Sequence, residues 1–367
     1  MVKTYPFYFK STVILLGLVL FVFSLFTLRS VLVPLSFALM LAILLNPLTS
    51  LFQKWRLPRI LSIVLSILIA IILITGIIYF IFSQIGSFSS QLPEFKKKFL
   101  EMFSRLQHSL YHSMGIKVEK QNQVLNEAET NMKPVIANAL GSMAGSLAVT
   151  ILVPVYTFLF LYYKTLLLNF LYELLSRENS TEVAVVLGQA KKAIQSYMFG
   201  LAIEGLIVAV LNSIALLLLG VDYAILLGVL GAVINVLPFI GGILAVLFPL
   251  LISIVTGQGL TIQLGIIISY IIIQFIDNHF LIPYIVSSKV KINALISIII
   301  VLMGGLVWGI AGMFLSIPVI GILKIIFDHI PELKPWAKLL GNEVPTRHKG
   351  VIWNAGKKKE IEAKTEK

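Results

Sequence analysis

Residues 223–276 read YAILLGVLGAVINVLPFIGGILAVLFPLLISIVTGQGLTIQLGIIISYIIIQFI, with no charged side chain between Asp222 and Asp277. A single spanning helix uses only about 20 residues to cross the hydrocarbon core of a bilayer. The stretch must therefore cross, turn and return. Its turn signals, Asn235-Val236-Leu237-Pro238-Phe239-Ile240-Gly241-Gly242, fall among apolar residues rather than in a polar loop. Irregular backbone at membrane depth survives only where protein or a water-filled cavity satisfies it. Asp277, which closes the run, lies inside another apolar span, and an intramembrane carboxylate marks a functional site by default. These features point to a transporter or a channel.

The composition agrees. Of 367 residues 58% are hydrophobic, and the mean hydropathy is +0.96, whereas soluble domains hold about 45–50% apolar residues. The expectation is an all-α polytopic membrane protein. The first apolar run has no cleavage pattern and a second follows it closely, so it reads as a span and not as a signal peptide. With no cysteine, disulfides, thiol nucleophiles and thiolate metal sites are excluded. The net charge of +12 gathers at the ends of apolar spans, which is how topology is set. No nucleic-acid module is recognisable, and no metal-ligand cluster, cofactor loop or catalytic constellation stands in the polar segments. The chain reads as a non-enzyme.

Spans are expected over 11–28, 31–48, 60–83, 143–163, 196–219 and 261–284, with broken apolar stretches at 223–256 and 292–323. That makes about eight membrane segments at roughly 20 residues each. Five regions follow: N-terminal helices (1–83), an extramembrane helical insert (84–142), a helix with a cytosolic segment (143–195), helix-plus-hairpin repeats (196–330) and a polar tail (331–367), whose last residues read as disordered. In the insert, Leu92, Phe95, Phe99, Met102, Phe103 and Leu106 recur at three- and four-residue steps, the pattern of an amphipathic helix.

Lysines and arginines suggest the topology. With the N-terminus in the cytoplasm, the basic segments 49–59 and 164–195 also lie inside, and the uncharged turn at 257–260 lies outside. If 223–256 and 292–323 are re-entrant hairpins, then Lys289, Lys291 and the basic tail also fall inside. Helix plus hairpin then occurs twice with opposite orientation. Secondary transporters often use such inverted repeats, with the site where broken helices meet.

Asp277 is the leading site candidate, as a proton or cation ligand or else as a structural carboxylate. Asn278 offers an amide oxygen, and His279 suits a proton relay or an interfacial position equally. Glu204 interrupts span 196–219, with Asn212 on roughly the same face. Tyr197 and Gln195 read as interfacial. Asn235, Pro238, Gly241 and Gly242 form one candidate hairpin break, and Gly304, Gly305, Gly309 and Gly312 the other; the glycines equally suit close helix packing.

Taken in order, four motifs resemble the AI-2E (autoinducer-2 exporter, PerM-type) transporter family. They are Tyr197-x-x-Gly200; Asn235-x-x-Pro238-x-x-Gly241-Gly242; Asp277-Asn278-x-x-Leu281-x-Pro283; and Gly304-Gly305-x-x-Trp308-Gly309-x-x-Gly312 followed by Pro318. The resemblance covers roughly 12–330. It implies a homo-oligomeric protein of the bacterial or archaeal inner membrane that exports a small solute, such as an autoinducer-2-like signal, or exchanges sodium for protons. Lys164 is followed by Thr165 where many relatives carry an acid, so any gate built on that acid differs here. Two readings stand beside a gradient-driven exporter: a monovalent cation/proton antiporter, and a membrane scaffold acting through its insert and tail.

Overall fold

The computed structural model describes residues 6–89, 97–98, 147–175, 180–237, 241–286 and 292–342. Most of the insert, Pro238, Lys289, Lys291 and the tail beyond 342 lie outside these residues, as do the expectations placed on them. The described chain is helical, with one isolated bridge between Ile292 and Gly341 as its only extended pairing. Its elements are α1 (Phe7–Thr27), α2 (Arg29–Lys54), α3 (Arg59–Ser89), α4 (Leu147–Tyr162), α5 (Lys164–Leu175), α6 (Ser180–Leu218), α7 (Ala224–Asn235), α8 (Gly241–Val255), α9 (Leu260–Ile276), a π-helical segment (Asp277–Val286), α10 (Ala294–His329), a 3₁₀ turn (Pro331–Leu333) and α11 (Lys334–Leu340). With α9 and the π-helical segment taken together, six helices among the described residues are long and apolar enough to cross a membrane, or seven if α4 and α5, bent by 65° at their junction, count as one span.

Two stretches depart from simple spans. The first is α7 and α8, of 12 and 15 residues. At about 1.5 Å per residue, neither reaches across roughly 30 Å of hydrocarbon. They pack against each other around the break: a Cβ on Gly231 would sit 3.5 Å from that of Ala245, and one on Gly241 would meet the Asn235 backbone at 2.6 Å. The second is α10. Gly309 adopts φ 63° and ψ −144° inside it, a conformation nearly closed to residues with a Cβ. The limbs on either side fold back on one another, so that a Cβ on Gly304 would meet the Gly312 carbonyl oxygen at 2.6 Å. The break is at Gly309 alone. Gly304, Gly305 and Gly312, read from the sequence as part of it, are helical and serve the close approach of the limbs.

Contacts fix how these pieces lie. Gln258 Nε2 donates to Gly220 O (3.1 Å), so the turns after α6 and α8 share one end of the molecule. At the other end Arg59 donates to Tyr162 O (2.6 Å) and Lys164 to Asn46 Oδ1 (2.9 Å), within the field of Lys191. Basic residues thus gather at the end opposite Gly220 and Gly257. The α7–α8 tip points toward the basic end. The α10 tip points away from it, and Trp308 Nε1 donates to Leu25 O (2.9 Å) near the end of α1.

Two further findings add detail to the sequence reading. Within 164–195, α5 is a separate helix, and α6 runs unbroken for 39 residues from Ser180 into the span. The stretch beginning at 331 starts with structure. Asn293 caps α10 by accepting from Ile296 N (2.9 Å), and its amide donates to Leu339 O (2.6 Å) and Gly341 O (3.1 Å). An N-cap of this kind is worth about 1 kcal/mol, and here it also ties α11 to the base of the α10 hairpin.

The packed centre joins the end of α6, both short helices and α9 through Leu216, Ala224, Leu227, Ala245, Ile252 and Ile266. In lipid such packing is held by van der Waals contact more than by exclusion of water, which suits its small residues. Gly228 lets α7 approach Ser213 so closely that a Cβ would lie 2.7 Å from the Ser213 Cα. Large apolar side chains such as Leu206, Leu218 and Leu306 cover the outside, where a bilayer is the matching solvent.

Candidate functional site: a carboxylate pair at a chamber

Glu204 comes from the middle of α6 and Asp277 from the junction of α9 with the π-helical segment. Their side chains are buried, with residue exposures of 3% and 1%. Asn235, the last residue of α7, stands between them. Its Nδ2 donates to Asp277 Oδ2 (2.9 Å) and to Glu204 Oε1 (3.2 Å). Gln274 Nε2 adds a long contact of 3.4 Å to the same Asp277 oxygen. The carboxyl groups also lie within hydrogen-bonding reach of each other. Asp277 Oδ1 has no hydrogen-bond partner among the described residues.

Local sequence explains the placement. Pro283 carries no N–H and crowds the carbonyl four residues earlier, and the chain widens into π turns from Asp277 onward. Such wide turns are uncommon and cluster at functional sites. Gly241 allows the tight return after α7, which holds Asn235 at the break. Gly242 leaves room for the Gln274 amide, since a Cβ there would lie 2.6 Å from Gln274 Cδ.

The pair borders a chamber of about 890 Å³ between α6, the α7–α8 tip, α9, the π segment and the base of α10. Glu204, Asn235, Gly242, Asp277 and Asn278 all line it, with Tyr197, Tyr270, Gln274 and Ser297. The remaining described lining is aliphatic, and among the described residues no lysine, arginine or histidine contributes. Gly309, Gly304, Gly305 and Gly312 are not among the lining residues, so one predicted break reaches the chamber and the other does not. Asn212, 2% exposed, stands behind the wall. Its Nδ2 and the Tyr270 hydroxyl flank Gly231, at 3.2 and 3.4 Å from where a Cβ would be. His279 is exposed and stacked on Phe275, with its Nδ1 at 3.0 Å from Phe275 O.

Sequence reading missed Gln274 and Tyr270. Both carried a signal: they are polar groups three and seven residues before Asp277 in a mostly apolar run, hence on its helical face. Tyr197, read as interfacial, lines the chamber, whereas Gln195 binds Ile43 O (2.8 Å) on α2. Among the described residues no group of three or more His, Asp or Glu is arranged to hold a metal.

A bundle of membrane-length helices with a chamber between broken ones, walled by acidic and apolar side chains, defines a multi-pass membrane transport protein. The comparison with known proteins identifies its kind. The chain belongs to the AI-2E transporter family, whose model, described as AI-2E family transporter, matches residues 13–332. YueF of Bacillus subtilis (strain 168), provisionally named a transport protein, is 26% identical over 317 residues, 82% of this chain and 84% of that protein. The AI-2 transport protein TqsA of Escherichia coli (strain K12) is 23% identical over 315 residues, 85% of this chain and 90% of TqsA. A provisionally named transport protein of Borreliella burgdorferi (strain ATCC 35210 / DSM 4680 / CIP 102532 / B31) is 32% identical over a shorter region of 133 residues.

Proposed function

We propose that the protein is a secondary transporter of the inner (cytoplasmic) membrane that exports a small solute through the chamber in exchange for protons carried by Glu204 and Asp277. The observation that carries this reading is the shared amide. Asn235, at a break between two short helices, holds carboxylates from two different long helices at the chamber wall, with no basic side chain lining it among the described residues. Two buried acids in that setting need a positive charge, as a proton or a cation, because unpaired charge in a low-dielectric site is costly. A site that requires such a charge links solute movement to an ion gradient.

The orientation follows from the basic end. Placed in the cytoplasm, as the bias of lysine and arginine favours, it puts the chamber's lower wall at that face. Ala193, Ile292, Ala294 and Ser297 lie there. The α7–α8 hairpin then enters from outside and the α10 hairpin from inside, an inverted pair. TqsA's name makes an autoinducer-2-like signal the first solute to try, and the family resemblance favours a homo-oligomer. The test is transport in proteoliposomes with imposed proton or sodium gradients and a panel of solutes. Solute flux driven by a proton gradient supports the reading. Flux that ignores every gradient removes the coupling role of the pair. Sodium-for-proton exchange with no organic solute would make the protein a cation antiporter.

A further inference from the structure

The lining of the chamber bears on what it can hold. We infer that the solute is an organic cation with an apolar body, exchanged for a proton held between Glu204 and Asp277. This rests on the transporter reading and narrows its substrate class.

Charge comes first. Among the described residues, the only ionisable groups on the lining are Glu204, Asp277 and the two tyrosines. Asn235 from α7 and the amide of Gln274 from α9 touch the pair, while Tyr197 from α6, Tyr270 from α9 and Ser297 from α10 line the same chamber. Lys191 and Lys192, on α6 just before the chamber, are exposed and outside the lining, and His279 is turned away. An anionic solute would be desolvated against two acids with no basic group among the described lining to pair it. A cation meets the charge the acids lack.

Size and surface then separate organic from inorganic. A bare metal ion needs a compact shell of about six oxygens. The chamber is about 890 Å³ and walled by Leu201, Ile243, Val246, Ile267, Ile271 and Ile282. Such a space fits a small organic molecule, whose sites run to roughly 300–1,000 Å³. Asp277 Oδ1 and the Tyr270 hydroxyl are buried and unpartnered among the described residues, and both belong to lining residues. The exchange balances: one positive charge arrives, and one proton leaves the pair to water.

Radiolabelled tetraphenylphosphonium retained by the purified full-length protein in detergent tests this, with protein-free micelles as the blank. Tetraphenylborate, nearly the same shape with opposite charge, is the competitor. Retention is expected at mildly alkaline pH, displaced by unlabelled tetraphenylphosphonium and not by tetraphenylborate. It should weaken by up to about tenfold per pH unit on acidification, with about one proton released per cation bound in weakly buffered solution. The proton count uses the unaltered protein, so it stands even if the Glu204→Gln, Asp277→Asn double variant fails to fold. Where that variant keeps its thermal transition, retention should be lost. Equal displacement by tetraphenylborate, absence of retention, or retention without proton release at every pH would overturn the inference. Gradient-driven transport of a neutral solute alongside any of these results leaves the transporter reading standing. Absence of all gradient-coupled flux removes that reading instead.

Discussion

Ser316 Oγ donates to Ile300 O at 3.0 Å, sixteen residues earlier in the same element. In an unbroken helix these positions would be about 24 Å apart at 1.5 Å per residue. The bond therefore records a complete reversal at Gly309, and it places the Gly304–Gly312 contact between the limbs.

Two adjacent glycines should respond differently to one methyl group. At Gly304 a Cβ meets Gly312 backbone, which cannot step aside. At Gly305 it meets the flexible end of Met313, at 2.6 Å from Cε. Gly304→Ala should cost roughly 1–3 kcal/mol through forced separation of the limbs, and Gly305→Ala clearly less. Thermal unfolding in detergent reads the difference. Equal transitions would mean that the limbs are not held at this distance.

Asp277→Asn and Glu204→Gln each preserve shape while removing titration. Both should fold and lose gradient-coupled transport. Asp277→Leu should also lower the unfolding temperature, because Asn235 would lose an acceptor in a buried site, a loss of about 1–3 kcal/mol. Unchanged rate and pH dependence in Asp277→Asn would mark that carboxylate as structural and leave Glu204 as the group to examine.

Gly242→Ala should act on function more than on stability. The new methyl displaces the Gln274 amide, a flexible group that can swing away and take its contact with Asp277 with it. Transport assays should show an altered pH profile with a thermal transition close to that of the parent. A large loss of stability with an unaltered profile would contradict this.

Much of this arrangement was legible in the sequence because lipid imposes few solutions. Uncharged length announced the spans, and Asp277, Glu204 and Asn235 stood out as rare polar groups that hydrocarbon would strand. Their convergence is a matter of tertiary packing. Nothing in the spacing of 204, 235 and 277 requires one amide to face both acids. The glycines of 304–312 were ambiguous for a related reason. A glycine that breaks a helix and a glycine that admits a neighbour look alike in sequence, and only the positive φ of Gly309 separates them. The chamber's share of α10 was also hidden, since Ser297 and Pro318 are brought beside it by the reversal.

Topology is open to a direct test, because the native chain has no cysteine. A cysteine at Gln258 should be labelled from outside the cell and one at Gln53 only from the cytoplasm. Ser113, in the insert, should behave like Gln258. The opposite pattern would invert the protein and place the chamber's lower wall at the outer face.

Among the described residues, α1 buries no side chain. Its links to the rest of the bundle include the chain at Leu28, the Arg29 guanidinium over the Phe26 ring at 4.9 Å, and the bond from Trp308 to Leu25 O. It therefore meets the bundle where Trp308 sits, next to Gly309, the residue on which the α10 hairpin turns.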